Sequence, residues 1–123
     1  NLQVSNKMIV SLIYELRKTS KKELMIYLFS DAPKSELSDI LDISNVFYVE
    51  GNNALEDLLL MSKARIIIPS IRSTFSYLSS YLSDAIILRH YNDTFATIRE
   101  NNMNEYWYKK NDNGDLILPN GLF

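Results

Sequence analysis

The sequence predicts an α/β domain of the Rossmann type, a Rossmann-like three-layer domain with helices on both faces of one mainly parallel sheet. Short apolar runs alternate with segments whose apolar residues recur at helical spacing, and the links between them are short. This alternation occurs four times before residue 91. Helices that alternate with strands specify parallel strands joined by right-handed crossovers. At 123 residues, the chain has the length of a single domain.

The first half of the chain carries two helix–strand pairs. Residues 5–19 have apolar side chains at helical spacing, after Ser5, which can cap the first turn. Residues 24–29 form an almost unbroken apolar run, which is typical of a strand buried on both faces. A short helical stripe then follows Ser35, and residues 46–49 predict a second strand.

The second half repeats this organisation. Asn53 and Glu56 match a capping box that opens a third helix. Residues 65–69 predict a third buried strand, Ser73 opens a fourth helix, and residues 85–88 predict a fourth strand. The third helix carries Leu55, Leu58, Leu59 and Met61, and the inner face of the fourth is expected to consist of Phe75, Leu78 and Leu82.

The tail, residues 91–123, lacks this regular pattern. Residues 94–101 predict a short helix, and residues 105–110 with 115–118 predict a hairpin that turns at Asn113-Gly114. The tail either covers a sheet edge or contacts a missing neighbour.

Composition excludes several classes of function. Hydrophobic residues make up 46% and charged residues 23%, the balance of a globular protein. The net charge is −2 and the positive residues are scattered, so we expect no nucleic-acid partner. No cysteine and no apolar run of membrane-spanning length occur, which favours a cytoplasmic protein. The chain starts at Asn1 rather than at methionine, which suggests a piece of something longer.

Ligands of parallel α/β sheets bind beyond the carboxyl ends of the strands, where helix amino termini attract anions. The string that follows the third predicted strand offers hydroxyls and consecutive backbone N–H groups beside Arg72, a plausible cradle for a diphosphate. The alternative is that Ser73 is only a helix cap and Arg72 a solvated charge. Asp57 could accept two N–H groups from a guanine edge, or it could simply complement the dipole of its helix.

Four strings, in this order and spacing, resemble the carboxyl-terminal donor-binding region of the alpha-1,2-fucosyltransferase family, whose members are GDP-fucose-dependent enzymes of the GT-B type. The resemblance covers roughly residues 24–88. The strings are Leu28-Phe29-Ser30-Asp31, Val49-Glu50-Gly51-Asn52, Glu56-Asp57-Leu58-Leu59-Leu60-Met61-Ser62 and Ile67-Ile68-Pro69-Ser70-Ile71-Arg72-Ser73-Thr74-Phe75-Ser76.

The resemblance implies a Rossmann-like domain that is the carboxyl-terminal half of an inverting, metal-independent fucosyltransferase. The donor would be GDP-fucose and the acceptor a glycan hydroxyl, with the general base and the acceptor on a missing amino-terminal half. No catalytic residue and no further cofactor is expected in this chain. Its implied donor-binding residues are Asp57 at the guanine base, Ser73, Thr74 and Phe75 at the diphosphate, and Ser30 and Asp31 at the border of the pocket.

The chain also departs from the family pattern. The family often has Trp and a small residue where this chain has Tyr77 and Leu78, and its His-x-Arg-x-Gly-Asp segment is absent from this sequence. Neither Arg72 nor Arg89 lies in such a motif. The alternative function is therefore a non-enzymatic α/β binding or protein-interaction module.

Three further candidates have ordinary explanations. His90 is the sole histidine and is expected to be a partly exposed loop residue rather than a general base. The aromatic string 106–108 either stacks on a sugar ring or covers a sheet edge. No Asp-x-Asp motif occurs, and residues 111–115 lack the ligand spacing of a calcium loop, so no metal is expected.

Overall fold

A computed structural model describes residues 4–71, 73–94 and 97–123. These residues divide into two compact units, Val4–Asn52 and Asn53–Leu122. Each unit is an α/β arrangement in which helices alternate with parallel strands, as the sequence predicts. Within the described parts of the chain, no helix is both long and apolar enough to cross a bilayer.

The unit Val4–Asn52 packs two helices against a two-stranded parallel sheet. Ser5 caps the first helix, because its Oγ accepts a hydrogen bond from the Met8 backbone N–H at 3.2 Å. The core consists of four buried apolar side chains: Ile13, Leu37, Ile40 and Val46. The elements are α1 (Asn6–Ser20), β1 (Ile26–Leu28), a 3₁₀ turn (Lys34–Leu37) that runs into α2 (Ser38–Leu41), and β2 (Val46–Tyr48).

This sheet is covered on one face only, whereas its first strand was expected to be buried on both. Tyr27 is 58% exposed, and its ring stacks on that of Phe47 with the centroids 5.6 Å apart. Ile26 and Val46 are register partners, and Ile26 packs against the core that contains Val46. Alternate residues of a strand point to opposite faces, so the apolar run supplies Ile26 to the core and Tyr27 to the exposed aromatic pair.

The unit Asn53–Leu122 contains a three-stranded sheet and a hairpin. The strand order is β3-β4-β5, with both pairs parallel, and β6 pairs antiparallel with β7. Ile67, Ala85 and Ile87 form its buried apolar cluster. The elements are α3 (Ala54–Ser62), β3 (Ile66–Ile67), α4 (Thr74–Tyr81), β4 (Ile86–Arg89), β5 (Glu105–Trp107), β6 (Lys109–Lys110) and β7 (Leu116–Ile117).

Strand pairing differs from the predicted single sheet in two respects. Among the described residues, β1 and β2 pair with each other, while β3 and β4 pair in a separate sheet. The predicted hairpin also loses its first segment, because Glu105–Trp107 adds to that second sheet as a parallel strand. Only Lys109–Lys110 and Leu116–Ile117 form the hairpin, and Gly114 takes the left-handed φ of 85° at its turn.

The predicted helix over residues 94–101 is a smaller feature in the structure. Glu100–Asn102 forms one 3₁₀ turn, in which Asn101 has a left-handed φ of 57°. Residues 95 and 96 of that prediction lie outside the described residues.

The fully buried residues of α4 are serines, so the predicted inner face is wrong for Leu78 and Leu82, while Phe75 is half-buried. Leu78 is 46% and Leu82 57% exposed, whereas Ser76, Ser79 and Ser80 are buried. The hydroxyls of Ser79 and Ser80 donate to the Ser76 carbonyl at 2.9 and 2.7 Å. These hydroxyls can be buried because the helix itself supplies their acceptors.

Small side chains let α4 approach its neighbour α3 closely. Ser79 Oγ lies 3.0 Å from Met61 Sδ, a contact that joins the carboxyl-terminal halves of the two helices. No side chain of α3, whose residues are all described, is fully buried. The two helices therefore pack through a narrow strip and leave much apolar surface exposed.

Ser79→Leu should lower the free energy of unfolding by about 1–3 kcal/mol, because the larger side chain has no room beside Met61. Leu78→Gln, one position earlier on the exposed side of α4, should change it by no more than about 0.5 kcal/mol. Urea denaturation followed by circular dichroism measures both. The reverse order of the two effects would mean that α4 buries its leucines.

Candidate functional site

Ser73 is the amino-terminal cap of α4. Its Oγ accepts hydrogen bonds from the Ser76 backbone N–H at 3.2 Å and from Ser76 Oγ at 3.1 Å. The cap role weighed in the sequence is therefore confirmed. Thr74 is exposed and Phe75 half-buried, and their amides open the helix, where N–H groups lack intrahelical partners.

Asp57 lies in the first turn of α3 and is half-buried. The predicted capping box is confirmed: Glu56 N donates to Asn53 Oδ1 at 2.8 Å, and Asn53 N donates to Glu56 Oε1 at 3.0 Å. This box fixes the start of the helix, because both side chains satisfy amides of the first turn. Asp57 is thereby held at a defined amino terminus.

α3 and α4 are neighbours in the unit Asn53–Leu122. The two helices pack side by side, and Ser79 of α4 meets Met61 of α3 in their carboxyl-terminal halves. β3 follows α3 and precedes α4, and the strand is parallel to β4. Asp57 of α3 and Ser73 and Thr74 of α4 therefore lie on two helices that pack against each other. A site shared by these residues stays a prediction.

Ser30 and Asp31 belong to the other unit, Val4–Asn52, and are exposed after β1. Ser30 Oγ accepts a hydrogen bond from Ala32 N at 3.1 Å, and Tyr48 donates to the carbonyl oxygens of Ser30 and Ala32 at 3.3 and 3.0 Å. These contacts describe a local turn. A shared donor pocket stays a prediction for both residues, and Arg72 lies outside the described residues.

A buried ion cluster lies at the carboxyl end of β4, and the sequence did not reveal it. Arg89 is fully buried and forms a two-point contact with Asp93, Nε to Oδ2 at 2.9 Å and Nη2 to Oδ1 at 3.0 Å. Its Nη1 donates to Glu105 Oε1 at 2.7 Å. The guanidinium carbon also lies 4.9 Å from the ring centroid of Trp107 and 5.5 Å from that of Tyr77.

This environment keeps Arg89 charged. Burial alone would lower the pKa of Arg89, but the hydrogen bonds and charges of Asp93 and Glu105 outweigh it and raise that pKa. The sequence signal for this cluster was an arginine at the end of an apolar strand. A charge buried at such a position requires partners of opposite charge. Which acids serve as partners depends on the fold, since Glu105 comes from β5.

Arg99 anchors the tail to the other end of α4. Its guanidinium donates to the carbonyl oxygens of Ser80 and Ser83 and, at 2.7 Å, to that of Ala85. The Arg99 backbone N–H in turn donates to Glu105 Oε2 at 2.9 Å. Such contacts satisfy carbonyls that a helix leaves unpaired at its carboxyl terminus.

His90 is buried, 6% exposed, so the expectation of a partly exposed loop residue is wrong. Its Nδ1 accepts a hydrogen bond from Asn92 N at 2.9 Å, and its ring stacks on Tyr91 with the centroids 4.0 Å apart. Burial lowers the pKa of His90, Asp93 opposes that shift, and Lys110 adds to it. A neutral imidazole that accepts a backbone N–H organises the turn after β4.

The aromatic string covers the edge of the sheet, the more ordinary of the two uses considered. Glu105–Trp107 pairs with β4, and Trp107 Nε1 donates to the Asp93 carbonyl at 2.9 Å. Tyr108 is buried, and burial raises the pKa of its hydroxyl. Within residues 4–71, 73–94 and 97–123, no group of three or more His, Cys, Asp or Glu side chains could hold a metal ion.

Comparisons of the chain with protein-family models, with curated proteins and with solved structures found no match. The resemblance to alpha-1,2-fucosyltransferases therefore stays a prediction that rests on the four strings. The caps at the starts of α3 and α4 are an independent observation.

Arg89→Met should lower the free energy of unfolding by about 3–5 kcal/mol, because it leaves Asp93 and Glu105 buried without their cation. Chemical denaturation measures the change. Lys34→Met is the control: it breaks the exposed Lys34–Glu50 pair and should lower stability by no more than about 1 kcal/mol. Equal effects of the two substitutions would contradict a buried cluster.

The stability of the chain should fall as the pH drops below about 6.5, the ordinary pKa of histidine. Since the folded chain holds His90 with a lowered pKa, the unfolded chain binds the proton more readily between the two pKa values. Stability from this group is complete above that window and lost as the pH falls through it.

His90→Asn tests this assignment, because asparagine retains an acceptor close to Nδ1 and does not titrate. Urea midpoints at pH 8, 7, 6 and 5 should depend less on pH in the variant than in the parent chain. His90 is the only histidine, so no other histidine contributes to the difference. Parallel pH profiles would show that the folded His90 has an ordinary pKa.

Proposed function

We propose that the chain is the Rossmann-like donor-binding half of a fucosyltransferase and that the unit Asn53–Leu122 holds the nucleotide of GDP-fucose. The observation that carries the proposal is the packing of α3 against α4, two helices whose starts are both fixed by side-chain caps. Asp57 lies in the first turn of one helix, and Ser73 caps the other. This arrangement offers one acceptor for a base and several donors for a phosphate.

The start of α4 suits the diphosphate. Amides of the first turn and the positive end of the helix dipole attract anions without a glycine-rich loop. Ser73 and the exposed Thr74 add hydroxyl donors beside those amides, and Phe75 contributes its backbone N–H. Donors fixed in this way stabilise the charge that develops on a departing diphosphate.

In the proposed reaction, a sugar hydroxyl oxygen attacks the anomeric carbon of fucose as the bond to the β-phosphate oxygen breaks. GDP leaves with that electron pair, and a general base takes the hydroxyl proton. The base and the acceptor belong to the amino-terminal half that the resemblance implies. The role of this chain is to bind and orient the donor, with Asp57 accepting two N–H groups from guanine.

A protein-interaction module is the competing candidate, and the exposed apolar side chains of α3 and α4 favour it. Monomeric globular proteins seldom expose large contiguous apolar patches, and such patches mark interaction sites. In this unit the exposed apolar residues of the two helices are Leu55, Leu59, Leu60, Leu78, Tyr81 and Leu82.

Calorimetry with GDP, ADP and UDP tests the proposal on the full chain. GDP should bind more tightly than the other two, and Asp57→Ala should weaken GDP binding roughly 10- to 100-fold, the range for losing hydrogen bonds to a charged group. Asp84→Ala is the matched control, because Asp84 is an exposed acid in the link between α4 and β4, away from both helix starts.

Equal affinity for GDP, ADP and UDP would contradict a guanine site at Asp57. Equal effects of Asp57→Ala and Asp84→Ala on GDP binding would contradict it as well. If GDP does not bind and the chain instead self-associates through its exposed leucines, the interaction module is the better description. Light scattering of Leu59→Lys against the parent chain detects that association, since Leu59 is exposed on α3.

A further inference from the structure

Tyr77 joins the start of α4 to the turn that follows β4. Its backbone N–H donates to the Ser73 carbonyl at 2.9 Å, and its hydroxyl donates to Asp93 Oδ1 at 3.0 Å. We infer that Tyr77 is a positioning residue for the diphosphate site, an inference that rests on the proposed function. In this role, Tyr77 itself does not contact the nucleotide.

The acceptor for the Tyr77 hydroxyl is held in place from several sides. Arg89 binds the Asp93 carboxylate at two points, 2.9 and 3.0 Å. The Asp93 backbone N–H donates to the His90 carbonyl at 2.9 Å, and Trp107 Nε1 donates to the Asp93 carbonyl at 2.9 Å. The hydrogen bond from Tyr77 thus ends on a carboxylate that the sheet fixes.

The ring of Tyr77 adds a second restraint. The Tyr77 ring centroid lies 5.5 Å from the guanidinium carbon of Arg89, and the Trp107 ring centroid lies 4.9 Å from the same carbon. The first turns of α4 therefore have both a packing contact and a hydrogen bond to the same buried cluster. Sites of this kind depend on such support, because donors displaced by about 1 Å lose much of their effect.

A positioning role and a purely structural role predict different binding data. Loss of a supporting contact for α4 should weaken ligands that use the amides and hydroxyls at Ser73 and Thr74. Guanosine lacks phosphates and depends on Asp57 of α3 instead. The ratio of GDP affinity to guanosine affinity therefore reports on the start of α4 alone, whereas a general loss of stability leaves that ratio unchanged in folded protein.

The test compares Tyr77→Phe with Tyr81→Phe in the full chain. Both variants lose one hydroxyl from the same helix, but Tyr81 is 63% exposed. We expect Tyr77→Phe to weaken GDP binding roughly three- to tenfold and to leave guanosine binding unchanged. Tyr81→Phe should match the parent chain with both ligands. Calorimetry gives the GDP constants, and NMR titration gives the weaker guanosine constants.

Circular dichroism confirms that each variant is folded under the conditions of binding. A folded Tyr77→Phe chain with parental GDP affinity overturns the inference and leaves the proposed function intact. Equal weakening of GDP and guanosine also overturns it, because the effect then does not arise at the phosphates. Failure of the parent chain to bind GDP overturns the proposed function and the inference together.

Discussion

The buried guanidinium of Arg89 organises the unit Asn53–Leu122. Arg89 ends β4 and bonds to Asp93 in the following turn and to Glu105 at the start of β5. Glu105 also accepts the backbone N–H groups of Ile98 and Arg99, so the tail is drawn onto the sheet. Removing three charges from water costs a large desolvation free energy, which only near-complete pairing of those charges offsets. The position of β5 in the sheet therefore depends on charge pairing rather than on apolar burial alone.

Contacts from this cluster reach α4 at both ends. Tyr77 donates to Asp93 near the start of the helix, while Arg99 donates to the Ser80 carbonyl near its end. Between these anchors the helix buries serine hydroxyls, which bond to its own carbonyls, and contacts Met61 of α3. A helix held by polar contacts at its two ends needs little apolar burial, which explains why Leu78 can remain exposed.

Before residue 91, local signals in the sequence were sufficient to predict the helices and strands but not which strands pair. The capping box at Asn53, the cap at Ser73 and the alternation of helix and strand are all found as predicted, because each depends on neighbouring residues. Sheet membership depends on pairing across long stretches of chain, and strands of two to four residues specify register weakly. The serine face of α4 was missed because hydropathy ranks serine as exposed, although a helix can satisfy its hydroxyl.

The ion cluster also limits which groups could hold a diphosphate in this unit. Arg89 is fully buried, and its donors bond to Asp93 and Glu105, so its charge is neutralised within the protein. The cluster of one cation and two carboxylates carries a formal charge of −1, which does not attract an anion. Among the described residues at the start of α4, the groups suited to a phosphate are therefore oriented amides and hydroxyls, whose dipoles act at short range. Short-range donors stabilise a phosphate only when they point at it. In such a site, the hydrogen bonds that link Asp93 through Tyr77 to the start of α4 hold the donors in that orientation.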